Sequence, residues 1–429
     1  MRNRTPQPGD LCERLRGSSL ASVLARFSDH LARLGYNPST THQYLSAAEH
    51  FARWLGQRKA SHVLIERFVL RHLPICKCSL PAMRNINCVR AATNRLRELL
   101  QIDRPTLCEG FRVHPYARQL LVEYERHLRE DRGLAASTIH FRLHNAAAML
   151  TKFGVRHKRD LCVATAAQVT GFITSRLRSR SRTGAAVTTS ATRLFLRFLL
   201  MQGYLTRDLT GAVLSPAQWR LTGLPPTLGK NELEKLVATC DRDGASSVAL
   251  RDRTILLCLV DLGLRASDVA ALCVDGVDLV ASTLTLHRPK RRRSSVLPMT
   301  RRLRQAIRAY LPARQSVTRN VGPDENCLFV KHRAPCGQPL RPSGIRGVVR
   351  RRACIAGLQD QITGTHVIRH SVASSLLQSG ASIKQIADLL GHRSIDTTSI
   401  YAKVDIRALS SVAMPWPCSA ESAGQEVAL

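Results

Sequence analysis

The sequence predicts a mainly α protein with one small antiparallel β-sheet, built as helical N-terminal modules followed by a mixed α+β domain. Three observations predict it. Apolar residues recur at helical spacing behind Ser/Thr starts through most of the 429 residues. Short strand-like runs are confined to one window, at 276–279, 283–287 and 295–299, with helical patterns on both sides. Residues 215–229 (SPAQWRLTGLPPTLG) are rich in Pro and Gly without periodicity, as an interdomain linker is. The expected layout is a helical module at 1–108, a second at 109–214, the linker, a mixed domain at 230–410 and a tail at 411–429.

Taken in order, the N-terminal half contains an internal echo. Residues 27–56 and 124–154 both carry a His-Leu pair, a Gly turn, a Ser-Thr helix start and an apolar helix ending at Gly. Each reads as two amphipathic helices joined by a Gly turn. Two related modules, or chance likeness between two helical hairpins, both fit. Helical patterns continue through 165–175 and 188–205, and the Arg-rich stretch 175–184 between them fits either phosphate contact or a solvated loop. Beyond the linker, helices are expected at 230–240, 248–262, 301–311, 343–356 and from His366 onward.

Basic residues outnumber acidic ones 64 to 31, a formal net charge of +33, and a field of that sign favours a polyanion, with nucleic acid the leading class. A hydrophobic fraction of 44% argues against wholesale disorder. No window approaches the length of an apolar membrane span, and the first twenty residues have no signal-peptide core, so the expected place of action is the cytoplasm. The 13 Cys follow no regular framework and are expected to be mostly reduced and buried. An exception is weighed at His72, Cys76, Cys78 and Cys88, which have the residue types of a structural zinc site. Cys-x-Cys is not the usual spacing, and buried thiols account for the cysteines equally well.

The chemistry concentrates near the C-terminus. His366, Arg369, His392 and Tyr401 follow one another at intervals of 3, 23 and 9 residues. Arg offers a fixed fork of donors for phosphate oxygens, His moves a proton near neutral pH, and Tyr can form a covalent intermediate. His366 and Arg369, three apart on a helix, share one face. Gly391 before His392 can end a helix in a left-handed cap. Upstream stand G-L-R-A-S-D-V-A-A-L at 263–272, with Arg265 beside a helix start, and P-K-R-R-R-S-S-V-L-P-M at 289–299, with Lys290 in a basic turn between strand-like runs. Taken singly, Arg265 would be a surface arginine, Lys290 a solvated or backbone-contacting turn, and Tyr401 a core or interface residue.

Together these segments resemble the tyrosine recombinase (phage integrase) family, in an Xer-like form. The family's H-x-x-R reads HVIR at 366–369, its L-G-H reads LGH at 390–392, and its nucleophile is matched by Tyr401. The resemblance implies a catalytic site of Arg265, Lys290, His366, Arg369, His392 and Tyr401. Arg265 and Arg369 would grip the scissile phosphate, Lys290 would protonate the leaving 5′ oxygen, His366 would accept the tyrosine proton or assist in a proton relay, and Tyr401 would form a 3′-phosphotyrosine. Arg291 replaces the Gly that commonly follows the family lysine. His370 reads as structural. The resemblance also implies that residues 109–214 form the helical (SAM-like) core-binding domain of a clamp around double-stranded DNA. It further implies four protomers, identical or mixed with accessory recombinases, on synapsed sites, with no cofactor and no metal in the chemistry. The long N-terminal module points toward a transposon- or integron-like enzyme of a mobile element, or toward one with arm-type DNA contacts. A type IB topoisomerase-like enzyme and a catalytically silent DNA-binding protein remain the alternatives.

Overall fold

A computed structural model describes residues 18–79, 83–102, 108, 110–178, 180–215, 226–288, 293–318 and 326–391; of residues 287–293 and of 182 and 183 only the backbone, where given, is described. By contact these residues form two compact units, one of 22–45 with 226–391, the other of 18–21 with 46–215.

The first helices are α1 (Ala21–Arg33) and α2 (Pro38–Leu55), joined through Gly35 at φ 74°. Leu24, Phe27 and Leu31 form the buried stripe of α1, at the i, i+3, i+7 spacing of an amphipathic helix. Next come α3 (His62–Arg67), a π-helical turn (Phe68–His72), a 3₁₀ turn (Leu73–Ile75) and α4 (Ile86–Leu99). The second echo unit repeats the first in form: α5 (Pro115–Arg129), Gly133 at φ 54°, then α6 (Ala136–Lys152). Short α7 (Lys158–Cys162), α8 (Ala166–Leu177) and α9 (Arg182–Met201) complete the bundle, and only four residues separate the last two helices. Its core centres on Tyr124, with the rings of Phe195 and Phe198 at 4.8 and 4.9 Å. Asn145 is buried in the same core and its Nδ2 donates to Thr192 Oγ1 at 2.8 Å, which offsets the desolvation of that nitrogen, while its Oδ1 has no partner among the described residues.

The other unit is built around α11 (Ser247–Leu262), which follows α10 (Lys230–Ala238). Eleven residues of α11 are buried, on every face, so this helix runs through the core rather than along its surface. It packs on α13 (Arg301–Thr318), α14 (Pro342–Ala356) and α15 (Thr365–Gln378), with short α12 (Ala266–Ala270) behind its C-terminus. Helix α13 continues through Pro312 and past the expected end at 311, because its buried face reaches Arg314, whose Nε donates to the Cys327 carbonyl at 2.9 Å. The sheet is β1 (Val277–Asp278), β2 (Thr283–Arg288) and β3 (Arg293–Pro298), antiparallel in that order, with Thr283 opposite Pro298 and Arg288 opposite Arg293. Pro298, which lacks an N–H, sits at the last position of an edge strand, where no ladder bond is lost.

Within this core Asp252, 1% exposed, accepts from Arg251 Nη2 at 2.6 Å and Arg352 Nη2 at 3.1 Å; Arg352 reaches on to Asp243 at 2.7 Å. Two arginines and two carboxylates thereby tie α11 to α14 and to the turn after α10. Among the described residues no helix is long and apolar enough to cross a membrane.

Candidate active site

Three segments far apart in sequence meet at one guanidinium. Helix α11 ends at Gly263, which adopts φ 59° and ψ 26°, and the chain turns there into Leu264 and Arg265. Helix α16 (Ile383–Leu390) ends at Gly391, at φ 61° and ψ 53°, the left-handed cap expected from the Leu-Gly-His spacing. Arg369, on α15, lies between these two ends. Its Nη1 donates to the Gly263 carbonyl and its Nη2 to the Leu390 carbonyl, each at 2.7 Å.

The local physics favours this join. Helix C-termini leave carbonyls without intrahelical partners and carry partial negative charge. A guanidinium supplies parallel charged donors to both, and Arg369 can be 4% exposed only because its charge is so compensated. Gly263 is required twice over. Its positive φ disfavours any side chain, and a Cβ there would come within 2.7 Å of Leu390 Cδ2 and 3.3 Å of Val372 Cγ1.

His366 stands one turn before Arg369 on the same helix face and is exposed. Its pKa is lowered, first by partial burial of the ring and then by the charges of Arg369, Arg265 and Arg346. The imidazole is therefore held toward its neutral, proton-accepting form. Arg265 precedes α12 in extended backbone conformation; its side chain is 30% exposed, with Nη1 3.9 Å from Asp268 Oδ2. Arg265 is itself the N-terminal capping residue of α12 and makes no side-chain cap bond. His370 is half-buried, and burial, then His366 and Arg369, lower its pKa.

Of the six residues expected to act, Arg265, His366 and Arg369 are brought together. Lys290, His392 and Tyr401 lie outside the described residues, as does the tail at 411–429. The strands flanking Lys290 form as expected, β2 pairing with β3 up to Arg288 opposite Arg293. Arg346, on α14, was not anticipated; it adds a third positive charge around His366, and no short motif marks it.

The weighed metal set needs one correction. His72, Cys76 and Cys78 converge, but their fourth companion is His50, not Cys88. Cys88 lies in the first turn of α4, its backbone N–H donating to the capping Asn85 side chain at 3.1 Å. His50 comes from α2, 22 residues before His72, a separation that no local spacing rule connects.

The sequence pattern that defines the phage integrase family matches residues 226–407. The integrase/recombinase y4rA of Sinorhizobium fredii is 32% identical over 410 residues, covering 94% of this chain and 96% of the relative. Tyrosine recombinase XerD of Corynebacterium glutamicum is 31% identical over 307 residues, covering 69% and 97%. Among solved structures, XerH site-specific recombinase bound to its difH substrate matches 81% of this chain and 94% of its own, with TM-score 0.52 and 17% identity. A lambda integrase tetramer bound to a Holliday junction covers 76% and 88%, with TM-score 0.50 and 15% identity. With a guanidinium joining the segments that carry G-L-R, H-x-x-R and L-G, and with relatives aligned over nearly the whole length, the chain belongs to the tyrosine recombinase, or phage integrase, family.

Proposed function

We propose that this protein is a site-specific DNA recombinase that cuts and rejoins double-stranded DNA through a 3′-phosphotyrosine at Tyr401, in the integration, excision or transposition of a mobile element. The observation that carries the reading is the convergence of Arg369, Gly263 and Leu390, which sets Arg265 and His366 around one small region.

Tyr401 Oη attacks the scissile phosphorus and the phosphorus–O5′ bond breaks, leaving a phosphotyrosine on the 3′ side and a 5′ hydroxyl. His366 accepts the tyrosine proton, in keeping with the neutral form its surroundings favour. Lys290 protonates the departing O5′. Arg265 and Arg369 hold the two non-bridging oxygens, and His392 donates to one of them, so that charge growing in the pentavalent transition state meets fixed donors. A 5′ hydroxyl from a partner strand then attacks the phosphotyrosine and restores the backbone. One phosphodiester-type bond is exchanged for another, so the reaction asks for neither ATP nor a metal. Two relatives support the partners: XerH is solved on difH DNA, and lambda integrase as a tetramer on a Holliday junction. The excess of 33 positive charges suits a DNA partner, and the reading places four protomers on two synapsed sites in the cytoplasm.

Nicked suicide duplexes carrying the ends of the element test it, with wild type and Tyr401→Phe, with and without EDTA. Wild type is expected to form an SDS-resistant protein–DNA adduct in both conditions and the variant none. Tight binding without adduct on every end sequence would overturn the catalytic reading. Strand exchange between two duplexes then separates a recombinase from an enzyme that only nicks and reseals.

A further inference from the structure

The N-terminal module gathers four metal-ligating side chains that the recombination chemistry does not use. His50 projects from α2, His72 closes the π-helical turn, and Cys76 and Cys78 follow the 3₁₀ turn. One donor atom from each lies within 4.8 Å of all the others. His50 Nε2 is 3.4 Å from His72 Nε2 and 3.3 Å from Cys76 Sγ, and Cys78 Sγ is 3.5 Å from His72 Nε2.

These three separations are close to three of the six edges of a metal tetrahedron, and the other three lie within 4.8 Å. Zinc bonds of about 2.0–2.1 Å to imidazole and about 2.3 Å to thiolate give edges of roughly 3.3–3.4 Å between two nitrogens and roughly 3.5–3.6 Å between nitrogen and sulfur. The surroundings are those of a held ligand set. His50 Nδ1 lies 3.0 Å from the Met83 carbonyl; donating there leaves the Nε2 lone pair facing the cluster. The Cys78 backbone N–H points at Cys76 Sγ at 3.4 Å, a bond suited to a thiolate. Arg84 Nη2 donates to the Cys78 carbonyl at 2.8 Å and secures the loop. Behind the cluster, buried Phe68 packs edge-on against His50 at 5.0 Å and stacks on His72 at 5.2 Å, fixing both ring planes.

We propose that His50, His72, Cys76 and Cys78 bind one Zn²⁺ as a closed structural site that staples the loop after the π-helical turn to helix α2. Two imidazoles and two thiolates in a tetrahedron select zinc over magnesium or calcium, which prefer oxygen ligands. All four positions are filled by protein, so no open position remains for a reacting water. Binding displaces the two thiol protons and leaves a neutral centre.

The full-length, reduced protein is supplied with excess zinc, dialysed, and its metal counted by mass spectrometry; a second sample is loaded with Co²⁺ for its visible spectrum. The expected result is about one zinc ion per chain and a tetrahedral, thiolate-coordinated cobalt spectrum. Cys76→Ser and His50→Ala are expected to weaken zinc affinity beyond the roughly 10–100-fold that loss of an outer hydrogen-bond partner costs, whereas Cys88→Ser leaves it unchanged. Wild type that retains no zinc and gives no tetrahedral cobalt spectrum overturns the proposal, without reliance on any variant's folding. So does zinc held equally by wild type, Cys76→Ser and His50→Ala. DNA cleavage by Tyr401 is read separately and decides nothing here.

Discussion

The two clusters of chemistry-bearing residues in this chain are assembled in opposite ways. Around Arg369 two of the three contributing segments end a helix at a Gly, and the guanidinium is bound to backbone at those two ends. Around His50 the donors are side chains alone, three close together from the last residue of a π-helical turn onward and one, His50, on a helix 22 residues before the first of them. Backbone-anchored sites leave a spacing signature because the turn geometry demands particular residues. A site closed by side chains from separate helices leaves only residue types, and the missing member is found when the helices pack.

The largest effect that would test this contrast is expected at Arg369. A lysine has no fork to span both carbonyls, so Arg369→Lys should lower the cleavage rate by about 10²–10³-fold, as removal of one preorganised donor does. DNA affinity in gel shift should stay within a few fold. Near-normal cleavage by that variant would separate the Arg369 junction from catalysis.

The buried charges of the same unit come next. Asp252→Ala leaves Arg251 and Arg352 without their common carboxylate, and denaturant unfolding should register a loss of about 3–5 kcal/mol. A change below 1 kcal/mol would mean that these arginines find water or another partner when Asp252 is gone.

Gly263→Ala places a Cβ at φ 59° and against Leu390, and a cost of roughly 1–3 kcal/mol is expected. Cleavage should fall along with stability, because the carbonyl that Arg369 grips shifts with the turn. A loss of stability with cleavage intact would show that the cap serves folding only.

The smallest expected effect is a displacement along the pH axis. His366 must be neutral to accept a proton, so cleavage declines as pH falls through its pKa, and that pKa is lowered by burial and by Arg369, Arg265 and Arg346. Arg346→Gln removes one repelling charge, stabilises the protonated imidazole and raises the pKa. The acid limb of the single-turnover profile should therefore move to higher pH, with the alkaline plateau retained. An unmoved limb would mean that another group sets it.

Much of this architecture was legible beforehand. The strand window and the helices at 230–240, 248–262 and 343–356 were expected close to where they form, because each rests on a local signal such as a cap, a turn or a period. Helix α13 outran its expected end since burial of Arg314 outweighed the Pro312 breaker signal. Cys88 is near the other cysteines in sequence, but the packing of α2 puts His50, not Cys88, in the donor set.

By itself the sequence determined the family resemblance, the polyanion-seeking charge, the pairing of His366 with Arg369 on one helix face, and the glycine cap at 391. All of these follow from residue identity and short-range geometry. Only the tertiary structure decided that Arg369 spends two donors on the carbonyls of Gly263 and Leu390, that Arg346 adds its charge to His366, and that His50 completes the donor set. Each of those joins elements tens to more than a hundred residues apart, and such contacts are fixed by how helices pack around α11 and beside α2, not by any spacing along the chain.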